Sequence, residues 1–423
     1  MSGGDAGGLT EWLRGNSFAL DSLDPTGPLD DLEPLRAIAE GARVVAVGEN
    51  SHFIREFCLL RHRVLRFLVE RCGFTVHAME FGFSEGFAVD RWTRGEGADS
   101  DLDELLGPFP HPEEVRAALR WMRVYNRDAA IPVRFAGVDI PQAGGSLLPS
   151  LRPLKEYLSA ADAAALPFLE PVIALAEGVE GPSMAAAAPR YGRLAKEQQD
   201  ALMAGLGWLR GRLSALEPDH VARYGRDRHS LAERHLESAW RAVYNLGAMA
   251  RFLAGQGLPG DMGVRDGFMA DSVLWRLGRM DPDAKIALVA HNAHIQKTPI
   301  VYEGLRELPM GQRLAQALGE GYVSLGVTSA GGETAGLHPD EDAVHGFRVE
   351  RAVLEPPAEG GIEAALAAAG VDLGFAGFHG APRGAEDPAR IRFDTAYLET
   401  SVLDAHDGVF HLPVSTVADD PSR

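Results

Sequence analysis

Four short apolar runs in this chain each end on a side chain that can hold charge or move a proton. Val44–Val47 precedes Glu49 and His52, Thr75–Phe81 contains Glu80, Val133–Val138 precedes Asp139, and Lys285–Ala290 precedes His291 and His294. An imidazole titrates near neutrality and can serve as a base at cellular pH, and a neighbouring carboxylate fixes its tautomer and raises its pKa. His291 and His294 are three residues apart, which on a helical turn puts both on one face, as metal ligands or as a base and its partner. One such ending is routine in a solvated loop. Four at the edge where open α/β sheets keep their ligands point to a site for proton abstraction.

Two other chemistries fit the same residues. His52, His291 and His294 together are a conceivable divalent-metal set, but neither H-E-x-x-H nor C-x-x-C is present, so no cofactor is expected. Gly82-Phe83-Ser84-Glu85-Gly86 matches G-x-S-x-G in a strand–turn–helix context, and Asp139 and His291 follow in the Ser…Asp…His order of α/β-hydrolases. With 48 glycines in the chain, a pattern with two free positions arises easily by chance.

The elements that must position these groups alternate strand and helix. Val44–Val47 reads as a strand buried on both faces, with Gly48 ending it and Asn50 or Ser51 capping a helix from near His52. Phe53–Cys72 has helical apolar spacing and stops at Gly73. Thr75–Phe81, Val133–Asp139, Lys285–Ala290 and Tyr322–Val327 are further strands, with helices over Gly82–Arg94, Glu113–Asp128 and Arg265–Met280, and a loop at 95–112. This βαβα rhythm predicts a mixed, largely parallel sheet flanked by helices. Between 151 and 260 long Ala-, Leu-, Arg- and Glu-rich segments without strands predict an inserted helical subdomain. The domain reading is therefore 1–150 and 261–415 for the two parts of the α/β core, 151–260 for the helical insert, and 416–423 for a disordered polar tail.

Composition narrows the partners. Apolar residues make up 46% and charged residues 24%, as in an ordinary globular protein. A net charge of −19 argues against nucleic acid or an anionic membrane as partner. Cys58 and Cys72, the only cysteines, fall on one helix too far apart to bond, so there is no disulfide framework. Met1–Leu20 lacks a basic segment before an apolar core and no run reaches transmembrane length, so a cytoplasmic protein is expected. Only Lys155, Lys196, Lys285 and Lys297 are lysines against many arginines, a skew typical of GC-rich bacterial genomes.

Taken in order, Gly48-Glu49-Asn50-Ser51-His52-Phe53, Arg61-His62, Met79-Glu80-Phe81-Gly82-Phe83-x-Glu85-Gly86, Arg265-Asp266 and His291-Asn292-Ala293-His294 resemble the erythromycin esterase family, from about residue 40 to 330. Its members open the lactone of macrolide antibiotics, a resistance activity, and homologues occur in bacterial gene clusters. The resemblance implies a hydrolase without a serine nucleophile. His52 matches the general base that takes a proton from water. Glu49 and Glu80 match the carboxylates that orient the site, and Arg61 matches an arginine that holds one carboxylate or faces the oxyanion. His291 and His294 match the pair on the other side. Phe53, Phe83, Asp139 and Arg265 are expected toward the substrate, with Phe81, Trp92, Trp121 and Tyr125 as further aromatics near the pocket, Trp121 more plausibly in the core.

The matching family position tolerates alanine at Ser84, which makes Ser84 a turn residue. Ser272 departs from the family pattern, which has asparagine there. The expected function is hydrolysis of an ester or macrolactone of a small natural product. A tailoring enzyme that uses the same site for elimination, addition or cyclisation in natural-product biosynthesis is the alternative.

Overall fold

The computed structural model describes residues 6–302, 305–384 and 387–419. Its strands are β1 (Ser17–Ala19), β2 (Val44–Val47), β3 (Val76–Gly82), β4 (Arg134–Asp139), β5 (Ile286–Val289), β6 (Ile300–Tyr302), β7 (Leu305–Glu307), β8 (Tyr322–Pro339), β9 (Phe347–Val353), β10 (Gly374–Gly377), β11 (Arg390–Phe393), β12 (Ala396–Glu399) and β13 (Gly408–Ser415). The main sheet runs β1-β10-β13-β8-β2-β5-β3-β4, and β9 pairs with the far half of β8. From β13 to β4 every neighbour is parallel, whereas β1, β10 and β9 pair antiparallel. The sheet is mixed and largely parallel, as the alternating pattern predicts.

The parallel stretch matters most, because it brings the carboxyl ends of β2, β3, β4 and β5 to one edge. The four residues of β2 are all buried. Val45 and Val47 pack with Phe57, Leu60 and Val64 of the helix Arg55–Cys72 on one face, and Val44 and Ala46 meet Met269, Val273 and Leu314 on the other. Burial on both faces is what a central parallel strand needs, and each fully buried Val or Leu side chain contributes roughly 1.5–3 kcal/mol. The helix Arg55–Cys72 ends where Gly73 takes φ +74° and its N–H bonds to Leu68 O.

A helical lobe leaves the sheet after β4. Its helices Leu148–Ala161, Leu166–Val179, Met184–Gly192, Lys196–Ala215, Glu217–Tyr224 and Arg226–Leu253 bury their own apolar core, including Leu151, Leu206, Leu209 and Leu246. No described helix is long and apolar enough to cross a membrane.

Several expectations need correction. Neither Asn50 nor Ser51 caps a helix at His52: the helix starts at Arg55, because Phe53 adopts φ +62° and breaks the path. Asn50 Nδ2 instead donates to Thr328 Oγ1, and Ser51 Oγ to Ala335 O. The loop 95–112 contains a short helix, Leu102–Leu106. The run expected to end at Val327 continues to Pro339, since its second half pairs with β9. Residues 416–419 are not a disordered tail. Thr416 N and Oγ1 donate to the carboxylate of Glu56, Ala418 N donates to Phe53 O, and Val417 and Ala418 are buried. Residues 420–423 lie outside the described residues.

Candidate active site

A cleft of about 610 Å³ opens at the carboxyl edge of the sheet, within the usual range for small-molecule sites. The helical lobe contributes Ser183, Met184 and Ala185, the β8–β9 hairpin Leu337 and Phe347, and the loop before residue 113 Phe109 and three prolines. Apolar walls surround a floor of charged side chains.

Glu49 and His52 stand at the centre of that floor. Gly48 leaves room for the Asn292 side chain, since a Cβ at this position would lie 1.8 Å from Asn292 Oδ1. Glu49 is buried, with Oε1 at 2.8 Å from His52 Nδ1 and Oε2 at 2.7 Å from Arg61 Nη1. A carboxylate only accepts, so His52 carries its proton on Nδ1 and leaves the Nε2 lone pair free. The His52 side chain is 33% exposed and lines the cleft. Burial works against a charged His52, but the Glu49 bond and the charges of Glu49, Glu80 and Asp394 outweigh it and move its pKa up. Burial equally opposes the charge of Glu49, and Arg61 and His52 overcome it to hold that carboxyl below its ordinary range.

Each guanidinium nitrogen of Arg61 has a partner. Its Nε donates to Gly48 O at 2.8 Å and Nη2 to Ala290 O at 2.6 Å, while Nη1 meets Glu49. It ties the ends of β2 and β5 together and fixes the Glu49 carboxylate.

His291 and His294 differ in charge despite their spacing. His291 is the N-cap residue of the turn Asn292–Ile295, and its Nδ1 accepts from Ala293 N at 3.2 Å. The proton therefore sits on Nε2 as a donor. Burial first, and then the His52 charge, push its pKa down to about 3, so the ring is neutral near pH 7. Its ring centroid lies 5.3 Å from that of His52. His294 points its Nδ1 at Asp266 Oδ1, 2.8 Å away, and its Nε2 at Glu80 Oε1, 3.4 Å away. Against burial, Asp266 and Glu80 raise its pKa to about 9, so it is an imidazolium at neutrality.

Glu80 links both sides of the floor. One oxygen accepts from His291 N at 2.9 Å and the other from Arg265 Nη2 at 2.8 Å. Burial resists its charge, but His294 and Arg265 hold its pKa far below the ordinary carboxylate range. Arg265 lines the cleft, yet its guanidinium also grips the fully buried Asp139 through three contacts of 2.6–3.1 Å.

Of the residues expected toward a substrate, Phe53 and Arg265 line the cleft, and Phe53 stacks on Phe109 with ring centroids 5.9 Å apart. Asp139 lies behind Arg265 and holds it. Phe83 is fully buried against Phe87, Phe268 and Trp275, because it turns into the helical lobe rather than the cavity. Phe81 reaches the cleft, whereas Trp92, Trp121 and Tyr125 belong to the core around the helix Arg55–Cys72.

Ser84 lies off the cleft wall. Its hydroxyl meets Ser150 Oγ at 2.7 Å and His235 Nδ1 at 2.8 Å, not His291. Gly86 has a packing reason instead, since a Cβ there would sit 2.4 Å from Gly137 N on β4. Ser272 is buried on the helix Gly263–Leu277, donates to Phe268 O and accepts from Arg234, away from the floor.

Among the described residues, no group of three or more His, Cys, Asp or Glu side chains comes together to hold a metal ion. One ring nitrogen each of His52, His291 and His294 bonds to Glu49, to Ala293 N–H and to Asp266 respectively.

Among the cleft residues to which the sequence assigned no role are Asp266, Phe109, Phe347 and Asp394. Asp266 directly follows Arg265 in the chain, which is the signal that could have found it. Asp394, in the turn between β11 and β12, had only the signal of a turn-forming Asp between two short apolar runs.

Comparison with known proteins follows the same lines. The family model described as erythromycin esterase matches residues 69–415. The chain is 41% identical to the erythromycin esterase type II of Escherichia coli, over 97% of this chain and 98% of that protein. It is 29% identical to the Escherichia coli type I enzyme, over 90% and 92%. The solved structure of a mutant of erythromycin esterase EreC in its open conformation superposes with a TM-score of 0.86 at 26% identity, covering 95% of this chain and 98% of that one.

Proposed function

The chain belongs to the erythromycin esterase family, and from that premise we propose that it hydrolyses an ester or macrolactone by general-base activation of water, with His52 as the base. The observation that carries the reading is the 2.8 Å bond between Glu49 and His52 Nδ1, which leaves Nε2 free to accept a proton in the cleft. His52 Nε2 takes a proton from water as the water oxygen adds to the carbonyl carbon. The carbonyl oxygen becomes an oxyanion, and the neutral His291 offers its Nε2–H to it, a preorganised donor of the kind that stabilises such charge most effectively. Glu49 holds the tautomer and stabilises the imidazolium, and Arg61 holds Glu49. Glu80, Arg265, Asp139, His294 and Asp266 form the ion network that anchors the His291 backbone.

The relatives named for erythromycin make a macrolide the first substrate to try. The apolar cleft walls suit a large ring with few charges. The test is a pair of variants assayed on a macrolide panel: His52→Ala abolishes conversion and Ser84→Ala keeps it. Activity lost with Ser84→Ala and kept with His52→Ala overturns the reading in favour of a serine hydrolase. A wild-type product that has not gained water would favour the tailoring alternative.

A further inference from the structure

Three carboxyl groups that line the cleft, Glu85, Glu307 and Asp394, have no task in the mechanism above, and Asp394 is the one whose turn is bonded to the Glu49–His52 loop. Asp394 occupies the turn between β11 and β12 with φ +49°, a left-handed conformation that Asp tolerates better than most residues. Its backbone N–H donates to Asn50 O at 2.8 Å, and the Thr334 hydroxyl donates to its carbonyl at 3.3 Å. The hairpin stands on Glu363, whose Oε1 accepts from Arg392 N at 2.9 Å and from the Thr328 hydroxyl at 2.6 Å. Thr328 in turn accepts from Asn50 Nδ2 at 3.1 Å. The Asp394 turn and the Glu49–His52 loop are thus bonded through Asn50 from two directions. The preceding residue, Phe393, sets its ring edge-on to His291, centroids 5.0 Å apart.

The side chain of Asp394 lines the cleft, and its buried Oδ1 has no hydrogen-bond partner among the described residues. Glu49 is committed to His52 and Arg61, Glu80 to Arg265 and His291 N, and Asp266 to His294 and Met310 N, whereas Glu85 Oε2 is unpartnered among the described residues, as Asp394 Oδ1 is. Asp394 and His52 act on each other's titration, so a proton gained by His52 favours loss of one from Asp394. Burial raises its own pKa, His52 and the Ser51 hydroxyl offset part of that rise, and the charge of Glu49 adds to it. A carboxyl in this setting retains a proton more readily than one in water.

We propose that Asp394 is a further catalytic residue, the general acid that protonates the leaving alcohol oxygen. The proposal rests on the hydrolytic reading of His52. As water adds, its oxygen bonds to the ester carbon, one water proton moves to His52 Nε2, and the carbonyl π pair moves to oxygen. On collapse that pair re-forms C=O, the bond from carbon to the alcohol oxygen breaks, and the departing oxygen takes the proton of the Asp394 carboxyl. The proton on His52 then returns through solvent to the Asp394 carboxylate. Ester and water become acid and alcohol, with both side chains restored. An alkoxide is a poor leaving group, so a second proton donor serves lactones and alkyl esters in particular.

The experiment compares two esters of one acid, an alkyl ester and a p-nitrophenyl ester, whose leaving group needs no proton. With Asp394→Asn, kcat on the alkyl ester falls on the order of 10²-fold while kcat on the p-nitrophenyl ester stays within about threefold of wild type. His52→Ala, run alongside, loses both. Equal losses on the two esters with Asp394→Asn, or no loss on either, overturn the proposal. Retained activity in His52→Ala overturns the base reading instead. Should the Asn variant fail to fold, the wild type decides through a series of esters of graded leaving-group acidity. A shallow dependence of rate on that acidity supports the acid, and one as steep as hydroxide hydrolysis overturns it. A wild type inert to every ester would take down both readings.

Discussion

Replacing Glu49 by Gln probes the heart of the site, because Glu49 is asked to accept two hydrogen bonds at once. In the wild type His52 Nδ1 lies 2.8 Å from one oxygen and Arg61 Nη1 2.7 Å from the other, and both are donors. An amide offers one oxygen and one NH₂. Arg61 cannot give up its proton, so the Gln oxygen turns to Arg61 and the NH₂ faces His52 Nδ1. That nitrogen must then accept, which moves the imidazole proton to Nε2 and removes the lone pair that takes a proton from water. The comparable carboxylate-to-amide change in serine-protease triads lowers kcat about 10⁴-fold through the same tautomer error. At about 1.36 kcal/mol per tenfold, Glu49→Gln therefore raises the barrier by about 5 kcal/mol.

The pH profile adds an independent sign. Glu49 raises the pKa of His52, and the base works only when deprotonated, so activity grows as pH rises through that pKa. Without the anion the pKa falls, and the acid limb of residual activity moves to lower pH. Steady-state kinetics across pH on any ester the wild type cleaves would measure both effects, with a thermal melt to confirm folding. Adding Arg61→Met frees the Gln oxygen for His52 and recovers part of the loss. A Glu49→Gln enzyme with wild-type kcat, or one whose acid limb moves to higher pH, refutes the reasoning.

Other consequences can be checked with the same preparations. His291→Ala removes the neutral donor and lowers kcat by about 10²- to 10³-fold with KM little changed, and the acid limb stays in place because His291 does not titrate near neutrality. His294 links stability to pH. Its folded pKa, about 9, exceeds the ordinary 6.5, so its contribution is fully present below the unfolded pKa and is lost as pH rises through 9. Urea unfolding should lose on the order of 3 kcal/mol from this group across that window. Asp266→Asn, which removes the partner at 2.8 Å, flattens the dependence.

Much of the floor was legible because short, doubly buried strands leave a strong mark. Val44–Val47 and Ile286–Val289 can be little else, and the charged residues that follow them must gather where parallel strands end. What escaped depends on contacts between distant segments. Phe83 and Phe81 are two residues apart in one motif, yet one turns into the helical lobe and the other into the cleft. Ser84 matched a nucleophile pattern whose glycine is required by packing against Gly137. Val417 and Ala418 looked like tail until the start of the helix Arg55–Cys72 gave them a surface to cover. Asp394 reaches His52 through Asn50, some 340 residues earlier in the chain, a pairing no local pattern announces.

The central claim is that His52 activates water against an ester carbon. Conversion of a macrolactone in oxygen-18-labelled water, read by mass spectrometry, addresses it directly. The predicted product is the ring-opened acid with one labelled oxygen in its carboxylate, formed by the wild type and not by His52→Ala. A product without the label, or labelled product formed equally well by His52→Ala, would contradict it.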